Sequence, residues 1–313
     1  MELQQSLDTY DRWRGELTPQ AGFTDQHYKV YLSNIYKRLR LVNGGHGSDV
    51  SFFTEVTPEG MAGLLEAGFG QHYDERHFLS TDSKKGLGQV LLSKVPVTGT
   101  EFHPVIGCRG LWEARLRIGG REWTVFHVHL PSEKGKEAAA ATRARALRIL
   151  QGIWKERLTA DPGALMMVLG DMNVERMEEL TRKETLNATM DPAVAFAEGR
   201  PFITNATLRL MPGAQVSTRR KGKREKEPDL IVVSPALLKL WRVGSTVIIP
   251  RPDGSYEYQP FHRDYLRGPE DSQTDIFQSN PEGDFDHHPV QATFVTNLKQ
   301  RPKDVVFWNG LAP

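Results

Sequence analysis

Residues 166–173 read MMVLGDMN: large apolar side chains that stop at a glycine, followed at once by Asp171 and Asn173. An uninterrupted apolar run of this length suits a strand covered on both faces. Side chains two apart on a strand project the same way, so Asp171 and Asn173 are expected together at its end. The carboxylate can orient and deprotonate water, and the neutral amide can donate a hydrogen bond to a phosphoryl oxygen. Gly, Asp and Asn are also favoured in turns, so a plain strand-terminal turn is the competing reading.

Polar residues close other apolar runs in the same way. Asn34 stands in YLSN, Glu55 closes VSFFTE, and His127 and His129 lie in WTVFHVHL. Asp229 precedes LIVVS, and Asp286 and His287 stand in FDHHPV. These runs, with YKVYLSNI, LGQVLLSKVPV, LWEARLRI, STVIIP and PVQATFVT, are short, rich in β-branched and aromatic residues, and bounded by turn formers, as strands are. ARLRIGGREWTVFHVHL reads as a hairpin turning at Gly119-Gly120. Residues 137–158 carry a helical stripe of Ala140, Ala144, Leu147, Ile149, Leu150, Ile153 and Trp154. TPEGMAGLLEAG reads as a second helix, with Thr57 as N-cap and Pro58 in the first turn. A third is expected within residues 3–16. The polar set spans most of the chain, so one domain over 28–296 is expected, with a helical extension at 1–27, a loop insertion at 250–285 and a tail at 297–313.

Each polar residue has a chemical and a plain reading. Asp286 and His287 suit a metal-binding carboxylate beside a phosphate-contacting imidazole, or a polar turn stopped by Pro289. Asp229 can fix the tautomer of a histidine from another strand, or be a strand-start aspartate. Glu55 is an odd charge in buried sequence unless a hard cation takes its oxygens or a surface ion pair does. Asn34 is a ligand or a strand-end amide. His127 and His129 share a strand face, yet no further His or Cys cluster completes a transition-metal site; one imidazole aimed at phosphate and one supporting it is the better reading. His46, His72, His77, His103 and His262 have no comparable setting. GLGQVLLSK lacks the rest of any nucleotide-loop signature and reads as a glycine-led strand.

Bulk composition narrows the class. The 313 residues are 39% hydrophobic and 25% charged, ordinary for a soluble globular enzyme. A net charge of +1 gives no global pull toward nucleic acid or membrane, so any such attraction is local. The single cysteine, Cys108, excludes an intrachain disulfide framework and reads as a small buried residue. No secretory signal is visible and no apolar run approaches a membrane span, so a soluble, reducing, cytoplasmic setting is expected.

Taken together, the order and spacing over about residues 28–296 resemble the endonuclease/exonuclease/phosphatase superfamily. Asn34 resembles its first asparagine, Glu55 in FTE its metal glutamate, and GLGQVLLSK one of its strands. His129 resembles its HL histidine, Asp171 and Asn173 its GDxN pair, Asp229 its DxxxxS aspartate, and Asp286 with His287 its terminal SDHxPV element. The resemblance implies an α/β fold: a four-layer sandwich of two packed, mostly antiparallel β-sheets flanked by helices. It implies that Glu55 holds Mg2+ or Mn2+ with Asn34 and Asp286 nearby, that Asp171 positions the attacking water, and that Asn173 stabilises the pentacovalent transition state. Asp229 would orient His287, which contacts phosphate with His129, while His127 supports. Thr54 and Phe285 depart from the usual glutamine and serine without removing any of these groups.

The activity implied is divalent-metal-dependent hydrolysis of phosphodiester bonds by in-line water attack, with DNA or RNA as the expected substrate. A phosphomonoesterase acting on inositol phosphates or another small phosphorylated metabolite is the alternative enzyme. A non-catalytic binding or scaffold protein is the alternative class. Arg219, Arg220, Lys221, Lys223 and Arg224, just before Asp229, are expected to meet a polyanionic substrate; a solvated basic loop is their plain reading.

Overall fold

The computed structural model describes residues 33–38, 41–42, 47–56, 58–66, 68–82, 87–131, 136–173, 219–221, 224–226, 229–241, 247–249, 290–296 and 303–308. Thr57, Lys223, Asp286, His287, the 3–16 helix and the 250–285 insertion lie outside them. The chain is α/β; the described residues form two larger sheets of mostly antiparallel strands, a two-stranded ribbon and a few helices. Its residues group into two compact units, each assembled from discontinuous segments.

The first unit comprises Met1–Lys94, Ile249–Pro289 and Trp308–Pro313. Its strands are β1 (Val50–Val56), β2 (Glu75–Asp82) and β3 (Leu87–Ser93), antiparallel in the order β1-β3-β2. Every residue of β3 is buried, as expected of the glycine-led run LGQVLLS. A helix at Pro58–Glu66 follows β1. One expectation fails here. YKVYLSNI reads as a strand with Asn34 at its end, but residues 33–38 are helical and Asn34 lies half-buried on that helix. Tertiary anchors outweigh the weak β signal of a short run. Arg38 is fully buried and donates through Nε and Nη2 to the Ile249 carbonyl at 3.1 and 2.6 Å, while Tyr36 meets Phe69 edge-on at 5.2 Å.

The second unit comprises Val95–Ile248 and Val290–Phe307. It begins with β4 (Val97–His103), β5 (Leu111–Ile118), β6 (Arg121–His129) and β7 (Leu165–Asp171). Then come β8 (Arg219–Lys221), β9 (Arg224–Lys226) and β10 (Asp229–Val233). The last three are β11 (Val247–Ile248), β12 (Val290–Phe294) and β13 (Lys303–Trp308). Five of these form a sheet in the order β10-β7-β6-β5-β4. The β5–β6 hairpin turns at Gly119 and Gly120, with φ of 60° and 78°, the pair of positive angles a two-residue turn of this hand demands. The basic run expected as a loop instead forms the antiparallel ribbon β8–β9. Within the stretch expected as a tail, KDVVFW pairs with β12, as its β-branched and aromatic content allows.

β6 and β7 are parallel, and parallel neighbours require a crossover. The helix Lys136–Ala160 supplies it. Its buried positions are Ala139, Arg143, Ala146, Leu147, Leu150 and Trp154, a stripe at helical spacing. Ala140 and Ala144 from the expected stripe sit half-buried at its margin. Ala146, Leu147, Leu150 and Trp154 pack into one core with Phe126 and Val128 of β6 and Met166 and Val168 of β7. Among the described residues, no helix is long and apolar enough to cross a membrane.

One charge lies deep in this unit. Glu113 on β5 has no solvent exposure; its Oε2 accepts from Arg157 Nη2 at 2.8 Å and meets His103 Nε2 at 2.9 Å. Burial alone would raise the carboxyl, but the bonds from Arg157 and His103 outweigh it and hold the group below the usual carboxylate range. His103 is thus not the bystander its sequence setting suggests. Truncating one partner strands a buried charge, whereas neutralising both sides does not. Arg157→Ala should cost about 3 kcal/mol in urea unfolding, and adding Glu113→Gln should recover most of it. Additive losses in that double-mutant cycle would show that the pair is not coupled.

Candidate active site

Three polar residues line up across adjacent strands of the second unit. In the parallel pairing of β6 with β7, His129 is opposite Asp171; in the antiparallel pairing of β10 with β7, Asp229 is opposite the same Asp171. Residues directly opposite share a face of the sheet. His129, Asp171 and Asp229 therefore form a row at one end of β6, β7 and β10. They retain 6%, 2% and 1% exposure, so the row is almost closed to bulk water. His129 Nε2 stands 3.7 Å from Asp171 Oδ2. Like charges directly opposite each other are unfavourable in a sheet, so a pair of carboxylates placed this way favours a positive group nearby.

Gly170 makes the row possible. It is opposite Val128 and has φ of 138°; a Cβ there would land 1.9 Å from the Val128 carbonyl oxygen, a backbone atom that cannot step aside. No other residue type fits. Asn173 reaches Asp171 by a route different from strand alternation. The strand ends at Asp171, and Asn173 has φ of 50°, left-handed backbone rarely taken outside glycine. Its backbone N–H donates to Asp171 Oδ1 at 2.7 Å, and its Nδ2 donates to the Leu130 carbonyl at 2.6 Å. The Leu130 N–H in turn donates to the Asp171 carbonyl at 2.9 Å. The turn reading and the chemical reading of GDMN thus coincide: an Asx-type turn fixes the carboxylate. One Asp171 oxygen is held, and the other faces His129.

Sequence reasoning missed Arg109. It lies in the β4–β5 connection, half-buried, with Nη1 2.6 Å from His129 Nδ1 and 2.9 Å from Nε2. A guanidinium only donates, so whichever ring nitrogen accepts from it must carry a lone pair. Arg109 therefore brings a positive charge beside the row. Its signal was faint: a lone basic residue between Gly107 and Gly110, both with positive φ. Cys108 is half-buried, and burial pushes its thiol up, away from nucleophilic thiolate.

The remaining expected residues fall elsewhere. His127 is one pleat below His129, opposite Leu169 and Trp112, and fully buried. Glu55 and Asn34 belong to the first unit. Glu55 sits at a register shift between Phe53 and Val56, half-buried in an otherwise buried strand, with φ of 54°. Among the described residues, Glu55 and Asn173 are the two non-glycines with positive φ. Bulges re-aim side chains, and such strain clusters at functional positions. A half-buried carboxylate turned out of its strand suits a hard divalent cation as oxygen donor. Among the described residues, the one set of three ligand atoms within 4.8 Å is Glu101, His103 and Glu113. Arg157 already supplies the positive charge there. Asp286, His287 and Lys223 lie outside the described residues.

Two outcomes follow from this geometry. Gly170→Ala should cost several kcal/mol, at or above about 4 kcal/mol, and disturb the His129–Asp171 register; unchanged thermal stability would refute the close approach. Burial, then the neighbouring His129, push His127 well below its usual value of 6.5. The unfolded chain takes up that proton as pH falls through 6.5 and the folded chain does not. His127 therefore costs no stability above that pH and up to about 1.4 kcal/mol per unit below it. Between pH 7.5 and about 5, urea titrations of His127→Gln should show a shallower acid loss than those of the parent chain. Parallel curves would sink the assignment.

No family model and no curated protein matches the sequence. Solved structures do. Truncated TDP2 from Caenorhabditis elegans is 16% identical, with 87% of this chain and 92% of that chain covered at a TM-score of 0.53. A double mutant of beta toxin from Staphylococcus aureus with bound magnesium ions is 14% identical, with 85% and 97% covered at 0.53. Sphingomyelinase C from Streptomyces griseocarneus is 16% identical, with 82% and 90% covered at 0.50. Across a likeness that spans most of both partners, the chain shares the fold of these three proteins.

Proposed function

We propose that this chain is a divalent-metal-dependent phosphoesterase that hydrolyses phosphodiester bonds in nucleic acid. The observation that carries the reading is the row of His129, Asp171 and Asp229, with Asn173 tied to Asp171, on this fold. A carboxylate fixed in direction by a backbone N–H on one oxygen is suited to orient water for in-line attack. Asp171 takes that role. His129, with Arg109 beside it, holds the phosphoryl group, and the second amide proton of Asn173 is available to an oxygen that gains charge. The orienting role is assigned to Asp229 and a phosphate-contacting role to His287, and His127 packs beneath His129 as a neutral support.

Glu55, Asn34 and Asp286 are the residues we assign to Mg2+ or Mn2+, on the donor chemistry of a carboxylate lifted out of its strand. When bound, the cation offsets charge on the phosphoryl group. One of the similar structures, the beta toxin mutant, holds magnesium.

The test is a panel of single-stranded and duplex oligonucleotides, p-nitrophenyl phosphate and inositol phosphates, run with Mg2+, with Mn2+ and with EDTA. Metal-dependent oligonucleotide cleavage is expected, and Asp171→Asn should lower kcat by about a thousandfold with little change in KM. Cleavage of monoesters alone would overturn the nucleic-acid substrate. No metal-dependent hydrolysis of any member would overturn the enzyme itself.

A further inference from the structure

The β8–β9 ribbon carries a charge arrangement that works against its own pairing. Arg219 is opposite Lys226, Lys221 is opposite Arg224, and Arg220 is opposite Glu225. Residues two apart on a strand, and residues directly opposite across it, fall on one face. Positions 219, 221, 224 and 226 thus share one face, and positions 220 and 225 share the other. The first face has four cationic positions in two like-charge pairs; the second has one opposite-charge pair. Like charges directly opposite destabilise a sheet pair, whereas opposite charges support it. The ribbon is self-neutralising on one face and self-repelling on the other.

Such a face is favoured when an outside polyanion supplies the missing charge. Along a strand, residues two apart are separated by about 7 Å, and residues directly opposite by about 5 Å. Four cationic positions therefore occupy a patch roughly 7 by 5 Å, compact enough for closely spaced phosphates and poor for an isolated one. The chain also restricts where the patch lies. Lys226 precedes Asp229 by three residues, so their Cα atoms are at most about 11 Å apart. Asp229 opens β10 and belongs to the row opposite Asp171.

We propose that the face bearing Arg219, Lys221, Arg224 and Lys226 is the docking surface for the phosphate backbone of a nucleic acid, beside the row it feeds. The proposal rests on the reading of that row as a phosphodiesterase site, and it makes Lys226 a contact while removing Arg220 from the set. Backbone docking is sequence-independent and strongly salt-dependent, because each neutralised phosphate releases condensed counterions. An RNA or DNA strand is thus held by charge, and selection among sequences is left to other parts of the chain.

The experiment is binding of a fluorescent single-stranded oligodeoxynucleotide to the Asp171→Asn chain in EDTA, across a salt series. The K221Q/R224Q double variant removes two positions from the cationic face, and R219Q/K226Q removes the other two. Each double should reduce the slope of log Kd against log salt by about 1.4, while R220Q, whose position is opposite Glu225, should change it by less than half of one contact. Neither double weakens ribbon pairing by loss of attraction, since each removes a repulsive pair; circular dichroism and melting temperature check that the fold is kept. Equal effects per charge on the two faces, or no effect of either double, would overturn the proposal. So would tight, ribbon-dependent binding to anionic phosphatidylserine vesicles with none to the oligonucleotide. If binding follows the cationic face but the parent chain cleaves nothing with metal, the phosphoesterase reading fails and the docking surface stands. If the parent cleaves oligonucleotides and the doubles bind like the parent, only the docking surface fails.

Discussion

The second unit depends on how closely two parallel strands can approach. At Gly170 the backbone of β7 comes so near the Val128 carbonyl of β6 that even one added carbon would collide with it. That approach sets the register of His129 with Asp171. The same register seats the crossover helix on β6 and β7, and the strand on the far side, β10, copies it to bring Asp229 opposite Asp171. A packed core, a chain crossover and a row of polar side chains therefore share one backbone constraint. Packed interiors do not deform smoothly, so a loss of fit at this point is felt in all three.

Much of this was legible in the residues. Continuous apolar runs announced strands buried on both faces, Gly119-Gly120 announced the hairpin, and the composition of residues 137–158 announced the helix. The polar endings of those runs picked out His129, Asp171 and Asp229, which the sheet aligns. Strand order beyond the β5–β6 hairpin was not legible, and Arg109 was missed although the hairpin places it: Leu111 is opposite Val128, so the residues just before β5 lie beside His129. Asn34 was misjudged because a short run of mixed β and helical propensity is decided by distant packing, here the buried Arg38 anchored on Ile249. The means by which Asn173 reaches Asp171 was also hidden. Spacing pointed to strand alternation, whereas the backbone leaves the strand and turns.

Charge is managed differently at three places in the same unit. Glu113 is buried with a cation and an imidazole fully committed to it, so it is spent on structure. The row at Asp171 is buried with an imidazole and a guanidinium beside it. The β8–β9 ribbon carries like charges directly opposite one another. Moving from the first to the third, internal compensation falls and the capacity to respond to an incoming ligand rises. Electrostatic preorganisation of this kind is most useful where solvent has already been excluded, which is the condition of the His129–Asp171–Asp229 row.

The left-handed backbone at Glu55 and Asn173 has a consequence for how the chain tolerates change. Glycine is the residue that such backbone favours, so at both positions the most comfortable residue for the fold is one that carries no functional group. The two sites differ in how far they resist their side chains: asparagine is among the few non-glycine residues that enter left-handed backbone readily, whereas glutamate is not. Glycine at Glu55 would therefore relieve more backbone strain than glycine at Asn173, and the strand bulge at Glu55 is the more costly of the two features for the fold to hold.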